Sequence, residues 1–200
     1  MVILGIDPGS LVTGYGVIEA ANGTIRLLEY NVVKNRSSHS MPLRLKAIYS
    51  SLCKVIERTH PDELAIETAF YGKNVQSALK IGHARGVSIL AAVNYELPTT
   101  EYSPREIKKA VVGNGGASKE QVQFMVRRLL RLRETPKFFD ATDALAVAIC
   151  HVLHSEATRR RELRVPADGT RSAKTRQGNG KAVTDWKTFI SKHPHRVKRA

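Results

Sequence analysis

The chain is organised around the segment VILGIDPGSLVTGYG, residues 2–16. Its apolar start is typical of a strand that is buried on both faces of a sheet. Pro8 and Gly9 end that strand, and a second strand restarts at Gly14. Asp7 therefore lies at the end of a core strand, beside a glycine-rich bend.

The carboxylate of Asp7 has two physical explanations. Burying an unpaired carboxylate is costly, and a bound metal ion removes that cost because oxygen ligands on a rigid strand suit a hard cation. Alternatively, Asp7 accepts hydrogen bonds from its own turn through Gly9, as Asp before Pro-Gly often does. The first strand does not separate these explanations, so the positions of the other acids matter.

Length and composition indicate one domain of ordinary size with a real core. The chain has 200 residues and is 42% hydrophobic. It lacks an apolar run of about 18 residues and the pattern of a secretory signal, which predicts no membrane span and no export. Cys53 and Cys150 lie far apart without CxxC spacing, which predicts reduced core residues of a cytoplasmic protein.

Positive charge is concentrated near the C-terminus. The net charge is +14, and residues 155–200 hold 13 Lys and Arg against 4 Asp and Glu, a net of +9. A polyanionic partner, above all nucleic acid, is the simplest implication, and an inert basic surface is the alternative. Composition becomes poor in aliphatic residues near residue 157, which predicts a folded domain over 1–156 and a basic, flexible tail over 157–200.

The pattern of elements predicts an α/β fold with a mixed sheet flanked by helices. Asn22-Gly23 is a hairpin turn signal, so three consecutive strands form an antiparallel meander. A short strand over 64–67 follows a helix and should lie parallel to the first strand. A fifth short strand is expected over 99–102. The helix over 75–94 is rich in small residues, which fits internal packing and a dimer interface equally.

Four carboxylates fall at the ends of these elements. Asp7 and Glu67 each close a strand, and parallel neighbours place their C-terminal ends side by side. Asp140 and Asp143 are three residues apart at the start of the last core helix, so they share one helical face. Acids in a first turn also stabilise a helix by about 0.3–1 kcal/mol, which explains either aspartate alone without a site.

If that helix packs beside the first strand, the four acids converge. They would repel one another and raise one another's pKa, and divalent cations remove that repulsion. Oxygen ligands select Mg²⁺ or Mn²⁺ rather than zinc. A pair of such ions about 4 Å apart can clamp a scissile phosphate. The acids therefore predict a metal-dependent phosphodiesterase.

Four segments carry a resemblance to a known family. In order along the chain they are GIDPGSLVTGYGVI, LAIETAFYGKNVQSALKIGHARG, VVGNGGASKEQV and DATDALAVAI. They resemble the corresponding segments of the RuvC family of Holliday-junction resolvases, the crossover junction endodeoxyribonucleases, over roughly residues 1–153. The first segment alone is less specific, because actin-like ATPases and ribosomal-RNA-processing nucleases carry a similar strand and glycine turn.

The resemblance implies an RNase H-like fold and a homodimer. It implies Mg²⁺-dependent nicking of two opposed strands of a four-way DNA junction, with two ions in each active site and Mn²⁺ as a substitute. The products would be 5′-phosphate and 3′-hydroxyl ends, and the role would be homologous recombination and DNA repair. A branch-migration complex of the RuvA and RuvB type is the implied partner.

The family's acidic site maps onto Asp7, Glu67, Asp140 and Asp143, as catalytic residues and metal ligands. Some relatives have His where Asp140 stands, and this chain has the version with carboxylates only. Thr142 stands where Ala is commoner, which we expect to be harmless. The basic tail has no counterpart recognised in typical family members.

Three further residues match positions that contact DNA in the family. Phe70 matches an aromatic that wedges into opened DNA, where stacking on a base contributes about 1–3 kcal/mol; a core plug under its loop is the alternative. Lys108 and Lys119 match basic positions near the cleaved strand, where lysine contacts phosphate or stabilises developing charge. Solvated helix-surface lysines are the alternative. His151 and His154 are interpreted as ordinary helix residues.

Two other functions fit the same residues less well. One is an RNA-processing nuclease on the same scaffold, which cleavage of structured RNA would reveal. The other is a non-catalytic nucleic-acid-binding protein in which the acids serve as helix caps. The combination of four acids with a glycine turn favours the nuclease over the binding protein.

Overall fold

A five-stranded mixed sheet forms the centre of the fold, with the strand order β3-β2-β1-β4-β5. The computed structural model describes residues 1–68, 75–134 and 136–162, and the side chains of the last range as far as 156. The strands are β1 Val2–Asp7, β2 Val12–Ala21, β3 Thr24–Lys34, β4 Glu63–Glu67 and β5 Thr99–Tyr102.

The strand directions agree with those predicted from the pattern. β1, β2 and β3 form an antiparallel meander. Asn22 and Gly23 make its turn with φ of 51° and 73°, the left-handed backbone that a two-residue hairpin requires. β4 pairs with β1 in parallel, and β5 pairs with β4 in parallel. The sheet is therefore antiparallel on one side of β1 and parallel on the other.

Five helices cover the two faces of this sheet in the described part of the chain: α1 Met41–Thr59, α2 Val75–Asn94, α3 Pro104–Val112, α4 Lys119–Leu129 and α5 Phe139–Glu162. Ser103 and Ser118 begin α3 and α4 with reciprocal capping boxes, which satisfy backbone N–H groups at each helix start.

Side-chain alternation along β1 divides the core into two layers. Ile3 packs with α3, α4 and α5 on one face of the sheet. Leu4 and Ile6 pack with α1 and α2 on the other face. This two-residue period is the reason the N-terminal apolar run is buried on both sides.

Helix α5 lies directly on the backbone of the sheet because glycines face it. A Cβ atom at Gly5 would lie 2.2 Å from the Ala144 carbonyl oxygen. A Cβ atom at Gly14 would lie 1.9 Å from the Asp140 carbonyl oxygen. No larger residue fits at either position unless the helix moves away. The start of α5 is therefore held over the C-terminal end of β1.

The predicted domain boundary at residue 156 falls inside α5, which continues to Glu162. Residues 163–200 lie outside the described residues, so the division into a nuclease domain and a basic tail stays a prediction. Within the described residues, every helix is too short or too polar to cross a membrane.

Candidate active site

Two of the predicted acids close neighbouring parallel strands. Asp7 is the last residue of β1, and Glu67 is the last residue of β4. The parallel pairing of β1 with β4 places these strand ends side by side. Alternation along each strand directs both carboxylates to the α5 face, which Gly5 and Ala65 also line.

Helix α5 supplies the other two acids. Asp140 lies in its first turn, and Asp143 follows one turn later. The carbonyl of Asp140 lies against Gly14, which pairs with Asp7 across the ladder between β1 and β2. Asp7 interacts electrostatically with Asp140, Asp143 and Glu67. The structure thus brings the four predicted acids together at one end of the sheet, while their roles stay predictions.

Burial and mutual repulsion raise the pKa of three of these acids, Asp7, Glu67 and Asp143. Burial, followed by the charges of Glu67, Asp143 and Asp140, raises the pKa of Asp7 well above its usual range. Burial and the charge of Asp143 raise the pKa of Glu67 to about 7. Burial also raises the pKa of Asp143, against the opposing effect of Lys119. A bound cation would supply positive charge that offsets the repulsion between these carboxylates.

Two lysines face the acids from α3 and α4. Lys119 Nζ donates a hydrogen bond to Asp143 Oδ2 at 3.0 Å, and the lysine side chain is 64% exposed. Lys108 acts on Glu67 and Asp143 and pulls the pKa of both carboxyls downward. An exposed ion pair contributes only about 0–1 kcal/mol. Lys119 can therefore exchange Asp143 for another anion at little cost in stability.

A cavity of about 210 Å³ opens between the acids and the lysines. Acidic, basic and apolar side chains all line it. The residues that line it are Asp7, Glu67, Pro104, Ile107, Lys108, Lys119, Val122, Asp143 and Ala146. The carboxylates are suited to hold cations, and the ammonium groups are suited to contact an anion such as a phosphate. We call this cavity the acidic cleft.

The donor set of the acidic cleft fits a hard divalent cation. Asp7, Glu67 and Asp143 line the cleft, whereas Asp140 does not. All four predicted ligands are carboxylates, which Mg²⁺ and Mn²⁺ prefer. In the described part of the chain, no three Asp, Glu, His or Cys side chains are close enough to grip one metal ion as they stand. In this conformation the Asp143 carboxylate is ion-paired with Lys119. Ion binding therefore needs side-chain rotation within the cleft. The residue types suit a hard divalent cation, while their present positions do not form a complete ligand set.

One polar cluster, none of whose residues lines the acidic cleft, was not anticipated. Tyr102 Oη lies 2.9 Å from His151 Nδ1, and His151 Nε2 lies 2.7 Å from Glu63 Oε2. His151 is only 3% exposed, and its interpretation as an ordinary helix residue did not specify this burial or these two partners. The one available signal was strand period, because Glu63 lies four residues before Glu67 and shares its face.

The remaining predicted DNA contacts have different outcomes. Lys108 and Lys119 both line the acidic cleft. Phe70 lies outside the described residues, so its predicted contact with an unpaired base stays a prediction.

A family model described as crossover junction endodeoxyribonuclease RuvC matches residues 3–151 of the chain. The chain belongs to the RuvC family. The RuvC of Dehalococcoides mccartyi is 54% identical over 156 residues, which are 78% of this chain and 92% of the relative. The RuvC of Chlorobium chlorochromatii is 42% identical over 200 residues, which are 100% of each chain.

RuvC relatives differ over the basic tail at 157–200. The Chlorobium relative aligns along the whole of this chain, whereas the Dehalococcoides relative aligns over 78% of it. The role of the tail stays open.

A solved structure confirms the fold. Thermus thermophilus RuvC in complex with Holliday junction substrate superposes with a TM-score of 0.75 at 34% identity, over 79% of this chain and 96% of that one. The chain has the RNase H-like fold of RuvC, with a mixed five-stranded sheet flanked by helices. RuvC nucleases are metal-dependent enzymes.

Proposed function

We propose that this RuvC chain is a structure-selective DNA endonuclease that resolves four-way (Holliday) junctions by paired symmetric nicks. It would act in homologous recombination and DNA repair. The observation that carries the proposal is the acidic cleft, where acids from two strand ends and one helix meet two lysines. The Thermus relative, solved with a Holliday junction, supports the choice of substrate.

The four acids hold the metal in this proposal. Asp7 interacts electrostatically with each of the other three acids. We therefore propose it as the ligand that the two ions share. Glu67, Asp140 and Asp143 complete the set. We propose Mg²⁺ as the ion, with two ions in each active site and Mn²⁺ as a substitute. When bound, the ions activate an attacking water and stabilise the leaving oxygen of a phosphodiester.

The lysines act on the phosphate. Lys119 lies opposite Asp143 and is exposed enough to transfer its hydrogen bond to an incoming phosphate oxygen. Lys108 adds positive charge on the same wall. As water attacks, the bond from phosphorus to the 3′ oxygen breaks, which leaves a 5′-phosphate and a 3′-hydroxyl. Phe70 would stack on a base unpaired near the crossover.

A homodimer supplies the second nick, and α2 offers a surface for it. A stripe of exposed apolar residues and glycines runs along one side of this helix: Val75, Leu79, Gly82, Gly86, Leu90 and Val93. A Cβ atom at either glycine would meet nothing within 4 Å, so another backbone can approach closely there. We call these six residues the α2 stripe.

The opposite face of α2 is already used. Ala84, Ala91 and Ala92 are buried in the core layer that contains α1. A second copy related by a two-fold axis would lay its own α2 stripe on this one, and both stripes would be buried. The two acidic clefts would then address two strands of like polarity.

Two further parts of the proposal follow from its substrate. A RuvA and RuvB type branch-migration complex is the proposed partner, because a resolvase acts where a junction is held open. The cytoplasm is the proposed location, because the junction substrate is found there.

Cleavage of a labelled four-way junction, compared with linear duplex of the same sequence, tests the proposal. With Mg²⁺, wild-type protein should nick two opposed strands of the junction and leave duplex intact. Asp7→Asn should lower the rate by at least about 10²–10³-fold, the usual loss when an electrostatic stabiliser is removed. It should keep junction binding, because removal of a negative charge does not weaken attraction to phosphates.

Glu19→Gln is the matched control. Glu19 is a surface carboxylate opposite Val2, at the other end of the ladder from Asp7. It should cleave like wild type. Nicking by Asp7→Asn at wild-type rate in Mg²⁺, or equal cleavage of duplex and junction, would contradict the proposal.

A further inference from the structure

The polar cluster of Tyr102, His151 and Glu63 joins three elements, and none of its residues lines the acidic cleft. Tyr102 ends β5, Glu63 begins β4, and His151 lies on α5. Tyr102 is 6% exposed and His151 is 3% exposed. Buried polar groups are costly unless they are hydrogen-bonded, and here both imidazole nitrogens have a partner. We call these three residues the Tyr–His–Glu chain.

The direction of the hydrogen bonds follows from the acceptor at one end. A carboxylate only accepts, so His151 Nε2 carries a proton and donates it to Glu63. In the neutral imidazole, Nδ1 then accepts, and the Tyr102 hydroxyl donates to it. Donation runs from β5 through α5 to β4. The chain therefore fixes the tautomer and the ring orientation of His151.

The other end of Tyr102 holds the residue after Glu67. The carbonyl oxygen of Tyr102 accepts from the Thr68 backbone N–H at 2.8 Å and from the Thr68 hydroxyl at 3.3 Å. Tyr102 is also the register partner of Glu67. Its main chain thus anchors the end of β4, while its side chain anchors α5.

The anchor matters because β5 is otherwise weakly held. It has four residues and lies at the edge of the sheet, paired only with β4. Edge strands of this length fray. Helix α5 carries His151 and also Asp140 and Asp143. The hydrogen bond of the Tyr102 hydroxyl to His151 therefore connects the strand beside Glu67 to the helix that carries the other two acids.

We infer that the Tyr–His–Glu chain is a positioning element that sets the separation between Glu67 and Asp143, and thereby the affinity of the acidic cleft for Mg²⁺. The inference rests on the proposed function, since it takes Glu67 as a metal ligand. Tyr102 and His151 touch neither substrate nor metal. They act through the backbone of Thr68 and through α5.

Tyr102→Phe tests the inference, because it removes the hydroxyl and keeps the ring and the carbonyl. We expect the Mg²⁺ concentration for half-maximal cleavage to rise about 10-fold, the low end of the loss when an outer partner of a metal ligand is removed. The KM for the junction should stay within two-fold. The same shift should appear without DNA, in the Mg²⁺ concentration for the half-maximal rise in Tm.

Two variants separate positioning from simple packing. Tyr15→Phe removes a hydroxyl that is equally buried and donates to Glu29 at 2.8 Å, on the α1 face of the sheet. It should lower Tm yet leave both Mg²⁺ midpoints within two-fold. Glu63→Leu removes the acceptor of the His151 hydrogen bond and should raise both Mg²⁺ midpoints. Glu63→Gln keeps an oxygen that accepts this bond and should leave both midpoints near those of wild type.

If Tyr102→Phe does not fold, the double variant Tyr102→Phe/His151→Leu replaces it. Both buried positions are then apolar, and Glu63, which loses its donor, has a side chain that is 32% exposed and can bond to water instead. The same 10-fold shift is expected. Midpoints equal to those of Tyr15→Phe would overturn the inference.

The two readouts also keep this inference apart from the proposed function. Junction cleavage by wild type with unshifted variant midpoints would defeat the inference alone. A shifted Tm midpoint in Tyr102→Phe, in a wild-type protein that leaves junctions intact, would defeat the proposed function alone.

Discussion

Asp7 and Glu67 point the same way because side chains alternate along each strand. Asp7 follows Gly5 by two residues, and Glu67 follows Ala65 by two, and all four face α5. Their pairing in space is thus a product of strand period and parallel register. The strand period and the parallel direction were predicted from the sequence, which explains why these two acids could be expected to meet, whereas the register comes from the structure.

Lys119 is the residue whose removal should separate catalysis from stability. Lys119→Met should lower the single-turnover cleavage rate by about 10²-fold, because the cleft loses a donor aimed at developing charge. The free energy of unfolding should change by less than about 1 kcal/mol, since the ion pair with Asp143 is mostly exposed on the lysine side. Rapid-quench cleavage and urea unfolding measure the two quantities.

Lys109→Met is the control for this prediction. Lys109 lies on α3 beside Lys108, is exposed and does not line the acidic cleft. It should lose some junction affinity at low salt and keep the single-turnover rate. Equal rate losses in both variants would mean that Lys119 contributes only general charge.

The Tyr–His–Glu chain marks the limit of prediction at this scale. Its bonds join residues 49 and 88 positions apart in the chain. A histidine on the buried side of a helix gives no sign of which strands it will meet. The acids were predictable because they end predictable elements, while this cluster depends on how β4, β5 and α5 pack.

At the scale of elements, the contact of α5 with the sheet places the site. Gly14→Ala should lower the free energy of unfolding by about 1–3 kcal/mol, because its Cβ would lie 1.9 Å from the Asp140 carbonyl and α5 must shift. Cleavage should be lost even in the folded protein, because the shift moves Asp140 away from Asp7. Urea midpoints and junction cleavage check the two effects.

Gly116→Ala is the matched change with room for the added methyl group. The nearest atom to its Cβ would be Asn114 Oδ1 at 3.5 Å, an ordinary contact. Stability and cleavage should both stay near wild type. Wild-type cleavage by Gly14→Ala would show that the start of α5 need not lie where the structure has it.

Gly14 shows which structural features can be predicted from sequence at this scale and which cannot. In the sequence, Gly14 was interpreted only as the place where a second strand restarts, whereas β2 begins two residues earlier, at Val12. The structure adds the reason, which is the close approach of α5. The strands and their parallel pairing depend on local residue periodicity and were predicted. The distance between a helix and the sheet does not depend on that periodicity and was not predicted.

The α2 stripe gives a second prediction at this scale. Leu90→Lys should convert the proposed dimer to a monomer at micromolar concentration, because a charge would be buried at the centre of an apolar contact. Light scattering after size exclusion measures the mass. The paired nicks should become independent single nicks.

Leu43→Lys controls for the loss of an exposed leucine. Leu43 is 55% exposed on α1, close to the 52% of Leu90 on α2. It should leave the mass unchanged. A dimer that survives Leu90→Lys would remove the α2 stripe as the interface and leave the acidic cleft untouched.

At the scale of the whole molecule, the cleft makes folding depend on pH and metal. The folded pKa of Glu67 is about 7, above its usual value of 4.5. Between these values the folded protein holds more protons than the unfolded chain, so its stability falls as pH rises through this window. Without metal, the free energy of unfolding should therefore decrease from pH 5 to pH 8, on the order of 1 kcal/mol.

Mg²⁺ should reverse this loss. At pH 8, where the acids are ionised, 10 mM Mg²⁺, taken as roughly ten times a millimolar Kd, should raise the Tm clearly. At pH 5 the effect should be small, because protons compete for the same carboxylates. Glu67→Gln should flatten the pH profile measured without metal. A profile unchanged by Glu67→Gln would mean that other groups set the pH dependence.

The distribution of the acids along the chain has a consequence for synthesis on the ribosome. Asp7 emerges early, whereas Asp140 and Asp143 emerge only after the whole sheet and four helices have been made. A growing polypeptide, or a product that terminates before residue 140, thus holds only two of the four acids and has no complete cleft. Under the proposed function, such a product would be unable to cleave DNA.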